Sequence, residues 1–332
     1  MTTEKFNTSW LWAGRLSLAA VMCAIPLFIQ QKYLLHVISL AMIFGIAALS
    51  LQLLLGFTGL LSMGQAAFLG VGAYTAGILA VKLQYPFLVC FVAAGVVSGL
   101  ISLILVPITR LKGVYLSVAT LGFTIAIHLV FLNEEWLTGG SQGLSSIPPP
   151  AIGSLAIGGE QGIYYLCLAV AIGSFAAFHL LVSSRFGRAL QAIKLDEDAA
   201  RASGINVTLY KSQAFVTAAV FTGWAGALFT YHNQYLNPND FTFWKSIEIV
   251  IMVAVGGIGS LAGAVFGAFA VTLLPEVLGD LENYRMIIFG SLVVLCMGLG
   301  HSGLAGLIGS GFRKWIYFRA AAPAADLQEV PQ

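Results

Sequence analysis

Two stretches of about twenty apolar residues, each long enough to cross a bilayer, flank a strongly charged segment between residues 185 and 211, and this alternation restricts the fold more than any other feature. The segment reads RFGRALQAIKLDEDAARASGINVTLYK and carries Arg185, Arg188, Lys194, Asp196, Glu197, Asp198, Arg201 and Lys211. Its composition favours a helix, with Phe186, Leu190, Ile193 and Leu195 among the charges, and Gly204 and Asn206 follow as stop signals. Nothing in lipid would hold so polar a helix. It therefore lies in water, against a partner or a membrane surface, and joins two spans.

The same reading extends along the chain. Of its 332 residues 58% are hydrophobic and 9% charged, against about 45–50% and about 25% in soluble domains. Apolar spans fall near 16–31, 33–55, 60–81, 86–107, 113–132, 163–182, 211–231, 246–257, 261–278 and 285–302. The span at 246–257 is too short to cross alone, and GGIGS (Gly256 to Ser260) follows it, so a broken or re-entrant helix is expected there. The chain is an all-α polytopic membrane protein of about 8–10 transmembrane helices. Lys5 and Arg15 before the first span resemble a signal peptide, but Gln30, Gln31 and Lys32 stand where a cleavage site would be, so a retained anchor is expected. The four cysteines (Cys23, Cys90, Cys167, Cys296) lie in apolar runs without metal spacing and read as buried thiols.

With the N-terminus in the cytoplasm and ten crossings, Lys5, Arg15, Arg110, Lys112, Arg185, Arg188, Lys194, Arg201, Lys211, Arg313, Lys314 and Arg319 lie inside. Only Lys32, Lys82, Lys245 and Arg285 lie outside, the asymmetry that the positive-inside rule describes. Both termini and the loop 183–210 are then cytoplasmic. The outer loop 133–160 is too rich in Gly, Ser and Pro for one helix, and 320–332 reads as a disordered tail after a single membrane domain, 1–319.

No catalytic or metal constellation is present: there is no phosphate-binding GxxxxGK[ST], no HExxH and no GxSxG, and the five histidines are scattered one per segment. The chain has no visible means of hydrolysing ATP. Two Gly-rich stretches stand out instead. GFTGLLSMGQAAFLGVGAYTAG (Gly56 to Gly77) offers a bare helix surface for close packing, and Thr58, Gly59, Ser62 and Gln65 are polar or small positions suited to a translocation path. VGGIGSLAGAVFGA (Val255 to Ala268) includes Gly256 and Gly257 and suggests interrupted helices. Glu248 is either a path residue or, beside Lys245, an outer-interface residue. In the charged loop, Asp198-Ala199-Ala200 followed by Gly204 gives small residues for close docking and a glycine for turning away.

These segments, with LKGVYLSVATLGFTIAI (Leu111 to Ile127) and TGGSQGLSSIP (Thr138 to Pro148), make the chain resemble the LivM-type permeases of branched-chain amino acid ABC importers over nearly its whole length. The DAA-x-x-x-G run matches the EAA-x-x-x-G pattern of such permeases, with Asp198 one carbon shorter, and Gln65 stands where many relatives have histidine. The resemblance implies a bacterial inner-membrane location, a second LivH-like permease sharing one path, two cytoplasmic ATP-binding subunits and a periplasmic solute-binding protein. It implies no cofactor in this chain, ATP being used by the partner subunits. Gly187, Arg188, Lys194, Asp198, Ala199 and Gly204 would couple to the ATPases. Urea and short-amide importers use similar permeases. An ion-coupled secondary transporter is a rival, though the spans hold almost no ionisable residue besides Glu248.

Overall fold

The computed structural model describes residues 31–111, 113–152 and 155–277, with Met22 and Pro26. The spans expected at 16–31 and 285–302 and the tail at 320–332 lie otherwise outside the described residues, as do Cys23 and Cys296. The first described helix, α1, is Lys32–Gln52, and it continues as a π-helical stretch, Leu53–Thr58. Then come α2 (Gln65–Val81), α3 (Phe87–Ser102, prolonged as a 3-10 helix to Arg110) and α4 (Val114–Asn133). A short α5 (Glu135–Thr138) and an antiparallel hairpin of β1 (Ala151–Ile152) and β2 (Leu155–Ala156) occupy the long loop. The remaining helices are α6 (Gly159–Ser183), α7 (Arg185–Leu195), α8 (Glu197–Ala202), α9 (Val207–Asn233), α10 (Phe243–Gly256) and α11 (Leu261–Val277).

Among the described residues five helical stretches are long and apolar enough to cross a membrane: Lys32–Thr58, Phe87–Thr109, Val114–Asn133, Gly159–Ser183 and Val207–Asn233. The expected spans reappear with one clear difference. The span expected at 60–81 starts only at Gln65, because the preceding helix overruns to Thr58 and residues 59–64 are irregular. The short span before GGIGS is α10, which ends at Gly256 and turns back into α11.

α1 and α9 form the centre. Of their apolar windows 83% and 72% are buried inside the protein, against 39%, 28% and 22% for α3, α4 and α6. The outer helices turn Leu88, Val92, Val96, Val118, Ile125 and Leu180 away from the bundle, as helices do where the surrounding medium is as apolar as the interior.

Glycine sets the central contacts. A Cβ on Gly72 would lie 2.2 Å from the Gly223 carbonyl oxygen, and one on Gly226 would lie 2.0 Å from that of Leu69, so α2 and α9 touch backbone to backbone. The α10–α11 hairpin is built alike: a Cβ on Gly256 would meet the Gly263 oxygen at 1.9 Å, and one on Gly267 the Met252 oxygen at 1.9 Å. Dispersion and close backbone approach hold helices together where the hydrophobic effect between them is weak.

At the end of the bundle away from α7 and α8, the long loop is pinned rather than loose. Leu144 pairs with Leu236, and the Tyr235 hydroxyl donates to the Gln142 carbonyl at 2.8 Å. Gly226→Leu should cost about 3 kcal/mol or more, as forced overpacking does, and should lower the unfolding midpoint of the detergent-solubilised chain. Gly122→Leu, at a position where an added Cβ meets nothing within 4 Å, should leave that midpoint unchanged.

Candidate functional site

Two interrupted helices and the charged loop meet in one region. Interruption frees backbone N–H and C=O groups, and at membrane depth these need partners from protein. The first interruption begins in the π-helical stretch. The Thr58 hydroxyl donates to the Leu53 carbonyl at 2.9 Å, and Gly59, at φ +77, reverses the chain. Residues 60–64 then climb beside α4, whose Ser117, Thr120 and Thr124 form one face at helical spacing. The Ser117 hydroxyl donates to the Leu61 carbonyl (2.8 Å), Thr120 Oγ1 accepts from Met63 N–H (2.9 Å), and the Thr124 hydroxyl donates to the Met63 carbonyl (2.8 Å). Thr120 lies six residues, about 9 Å, into α4, so the irregular segment reaches well inside the bundle. On its far side, Ser246 Oγ of α10 accepts from Ala66 N–H at 3.0 Å.

The second interruption, residues 257–260, abuts the first. The Gln52 side chain donates to the Gly257 carbonyl at 3.1 Å, while its Oε1 has no partner. A Cβ on Gly56 would stand 3.0 Å from Gly259 N. The charged loop closes the group: Lys194 Nζ donates to the Gly56 carbonyl at 2.7 Å, placing a cation at the end of α1 where helix carbonyls lack partners.

The charged loop is two helices rather than one. Ser184 caps α7 by accepting from Phe186 N–H (3.1 Å), and Asp196 Oδ1 caps α8 by accepting from the N–H groups of Asp198 (2.8 Å) and Ala199 (3.0 Å). Gly187 is buried where a Cβ would stand 2.1 Å from the Val182 oxygen, so it seats α7 against the end of α6. Arg188 is exposed and donates to the Ser183 carbonyl at 3.2 Å. Asp198 and Ala199 face solvent, Asp198 pairing with Arg201 at 3.2 Å, while Ala200 packs with Ile193 and Val207 in a small apolar cluster. Gly204, at φ +83, turns the chain, and Asn206 caps α9. Lys211, 2% exposed, makes a salt bridge with Glu197 that ties α8 to the start of α9. At the tip, the Leu195 side chain stands free, with the residue 87% exposed.

Of the positions picked for a path, Thr58, Ser62, Gln65, Gly256 and Gly257 are all buried in this state, and Gly59 is exposed. Gln65 is fully buried: its Oε1 accepts from the Thr222 hydroxyl at 2.7 Å, and its Nε2 has no partner. Glu248 is half-buried and bonded to Lys245 at 2.7 Å. Sequence reasoning missed two features. His36 and His232, 196 residues apart in sequence, stack with ring centroids 3.9 Å apart, His36 facing Glu160 at 3.7 Å. The Ser/Thr face of α4 was equally unmarked, although its i, i+3, i+7 spacing stood in the sequence.

Polar side chains that repair two broken helices, beside a charged loop outside the apolar bundle, are the features of a polytopic membrane transport protein. Residues 33–297 match the family described as "Branched-chain amino acid transport system / permease component", and the chain belongs to that family. It is 31% identical over 306 residues to the high-affinity branched-chain amino acid transport system permease protein LivM of Salmonella typhimurium LT2, covering 85% of this chain and 72% of that protein. It is 30% identical to LivM of Escherichia coli K12, over 81% of this chain and 69% of that protein. It is also 26% identical to the autoinducer 2 import system permease protein LsrC of Salmonella choleraesuis SC-B67, over 94% of this chain and 92% of that protein. No solved structure matches. The chain is thus a non-enzymatic, multi-pass permease component of the inner membrane, of the kind that works with ATPase and other subunits.

Thr120→Val should strand the Met63 N–H and destabilise the chain by about 1–3 kcal/mol, the cost of a buried unsatisfied donor. Thermal unfolding in detergent checks it, and Thr120→Ser, which keeps the acceptor, should recover most of the loss.

Proposed function

We propose that this chain is the membrane-spanning permease subunit of an ATP-driven importer, forming with a second, LivH-like permease the path for branched-chain amino acids. A periplasmic binding protein delivers the cargo on the side of the long loop. Two cytoplasmic ATP-binding subunits dock on the α7–α8 side, and ATP is consumed there rather than in this chain. The N-terminus and the charged loop are cytoplasmic in this reading. The observation that carries it is the charged loop itself: a capped pair of helices outside the apolar bundle, fastened inward at two points, Glu197 to Lys211 and Lys194 to the Gly56 carbonyl.

That arrangement supports a coupling route. Asp198, Ala199 and Leu195 present the docking surface, with Gly187 and Arg188 seating α7 against α6. Gly204 sets the direction in which the loop leaves it. Displacement of α7 by the ATPases pulls through Lys194 on the π-helical stretch, and from there through Gln52 on the Gly257 turn. Thr58, Gly59, Ser62, Gln65, Gly256 and Gly257 belong to the broken helices that move, and they form the wall of the path when it opens. Glu248 faces the path. Cargo and ATP bias one equilibrium, and each shifts it only by its differing affinity for the two states.

Vesicles holding this chain, its sister permease and the ATPases should take up labelled leucine when ATP is inside and the binding protein outside, and should lose uptake when either is omitted. Uptake driven by an ion gradient without ATP would refute the importer reading, and ATP-driven uptake of urea in place of leucine would refute the substrate. In the same vesicles Gly204→Leu, forced into left-handed backbone where only glycine is comfortable, should leave ATP hydrolysis running while uptake per ATP drops about tenfold.

A further inference from the structure

Lys245 and Glu248 are an ion pair well inside the bundle. Two rulers place them. Lys245 Nζ lies 4.6 Å from the ring centroid of Phe44, the thirteenth residue of the 27 in Lys32–Thr58. Ser246, between the two, accepts from Ala66 N–H near the start of α2, and Ala66 is fifteen residues, about 22 Å, from Val81 at the other end of that helix. The pair therefore lies near the middle of the apolar slab, deeper than an outer-interface position, because residues 234–242 dip back into the bundle before α10 starts.

Their surroundings are not those of a sealed structural salt bridge. The side chains keep 23% and 26% of their accessibility, and Trp244 beside them is 64% exposed, so this face of α10 looks out of the chain. Among the described residues neither charge has its bonding capacity filled: the ammonium donates once, to Glu248 at 2.7 Å, and stands over the Phe44 ring. The nearby acid Asp240 sits in a capping box with Asn237 and is also within electrostatic reach of Lys245, a second acid beside the ammonium. Opposite charges at such depth are costly, and they mark polar pathways through membrane proteins.

We propose that Lys245 and Glu248 form a transient clamp for the zwitterionic end of an α-amino acid passing through the path, the cargo carboxylate taking Lys245 and its ammonium taking Glu248. The assignment rests on the importer reading above and adds to it the two side chains that hold the charged end of the cargo. The exchange conserves charge: one internal ion pair opens and two intermolecular pairs replace it, so no charge is left bare at mid-depth. Trp244 supplies an apolar wall for the side chain. A neutral small amide can offer its N–H and C=O to the two charges but no counter-charge to replace the internal ion pair, so the clamp favours the zwitterion.

The test uses Lys245→Met with Glu248→Gln, a near-isosteric, uncharged double variant, in the complete reconstituted importer. Replacing a merely structural ion pair by neutral groups of similar volume is often harmless, so a structural pair predicts uptake within about twofold of the parent, and that result overturns the proposal. A clamp predicts intact assembly, unchanged melting and continued ATP hydrolysis, with leucine uptake reduced about tenfold or more, the loss of roughly 1.4 kcal/mol of coupling. A second measurement needs neither transport nor the double variant. Millimolar leucine should slow thiol labelling of Trp244→Cys in the assembled complex, whereas isoamylamine, lacking the carboxylate, should not. Equal protection by both, or by neither, overturns the clamp. If the parent importer shows no ATP-driven leucine uptake, the importer reading fails, and the labelling result still decides the clamp on its own.

Discussion

Backbone that leaves a helix away from water has to find its hydrogen bonds in the protein, and most of this architecture answers that requirement. Among the described residues the chain breaks off its helices at 59–64 and again at 257–260, and both breaks lie against the end of α1 and its π-helical continuation. A hydroxyl face on α4 serves the first, joined by Ser246 from α10; Gln52 serves the second. Each backbone group left unsatisfied there costs about 1–3 kcal/mol, so these few side chains together hold the interrupted helices in place. Small residues do the rest. They let α2 approach α9, and α10 approach α11, until backbone meets backbone.

The division between centre and periphery follows from the same economy. The central helices α1 and α9 are enclosed over most of their length, whereas α3, α4 and α6 turn apolar faces outward, α4 keeping its hydroxyl face toward the first break. The charged loop, denied any place in this bundle, is held at its edge by two cations, Lys194 and Lys211, that reach inward while their neighbours stay in water. A long lysine stem suits that task, since it crosses apolar surface and delivers a charge beyond it.

Hydropathy and glycine placement made the helices readable: eight of the expected spans correspond to described helices, and GGIGS marked the α10–α11 turn. Helix ends were harder. The overrun of α1 to Thr58 depends on Leu53–Thr58 taking π geometry, which has no apolar period to betray it. In the charged loop Asp196 looked like one charge among eight, but it ends one helix and caps the next. Depth was the least legible quantity. Lys245 and Glu248, near a span end, left a path position and an interfacial one both open; the contacts of Lys245 with Phe44 and of Ser246 with Ala66 depend on the course of residues 234–242, and a loop's path is not written in its composition. The His36–His232 stack joins residues on two spans far apart in sequence and needed the packing of α1 on α9 to appear.

The π-helical stretch bears on how this chain can vary. Such a stretch holds one residue more than an α-helix of the same rise, and each residue of a helix turns it by about 100°. Losing one residue between Leu53 and Thr58 would restore plain α-helix at no cost to hydropathy. It would also rotate everything downstream by about a quarter turn, carrying the Gly56 carbonyl away from Lys194. Length, rather than composition, is therefore the conserved quantity to look for here: among homologous chains, insertions and deletions should be excluded from residues 53–64 and tolerated in 133–160.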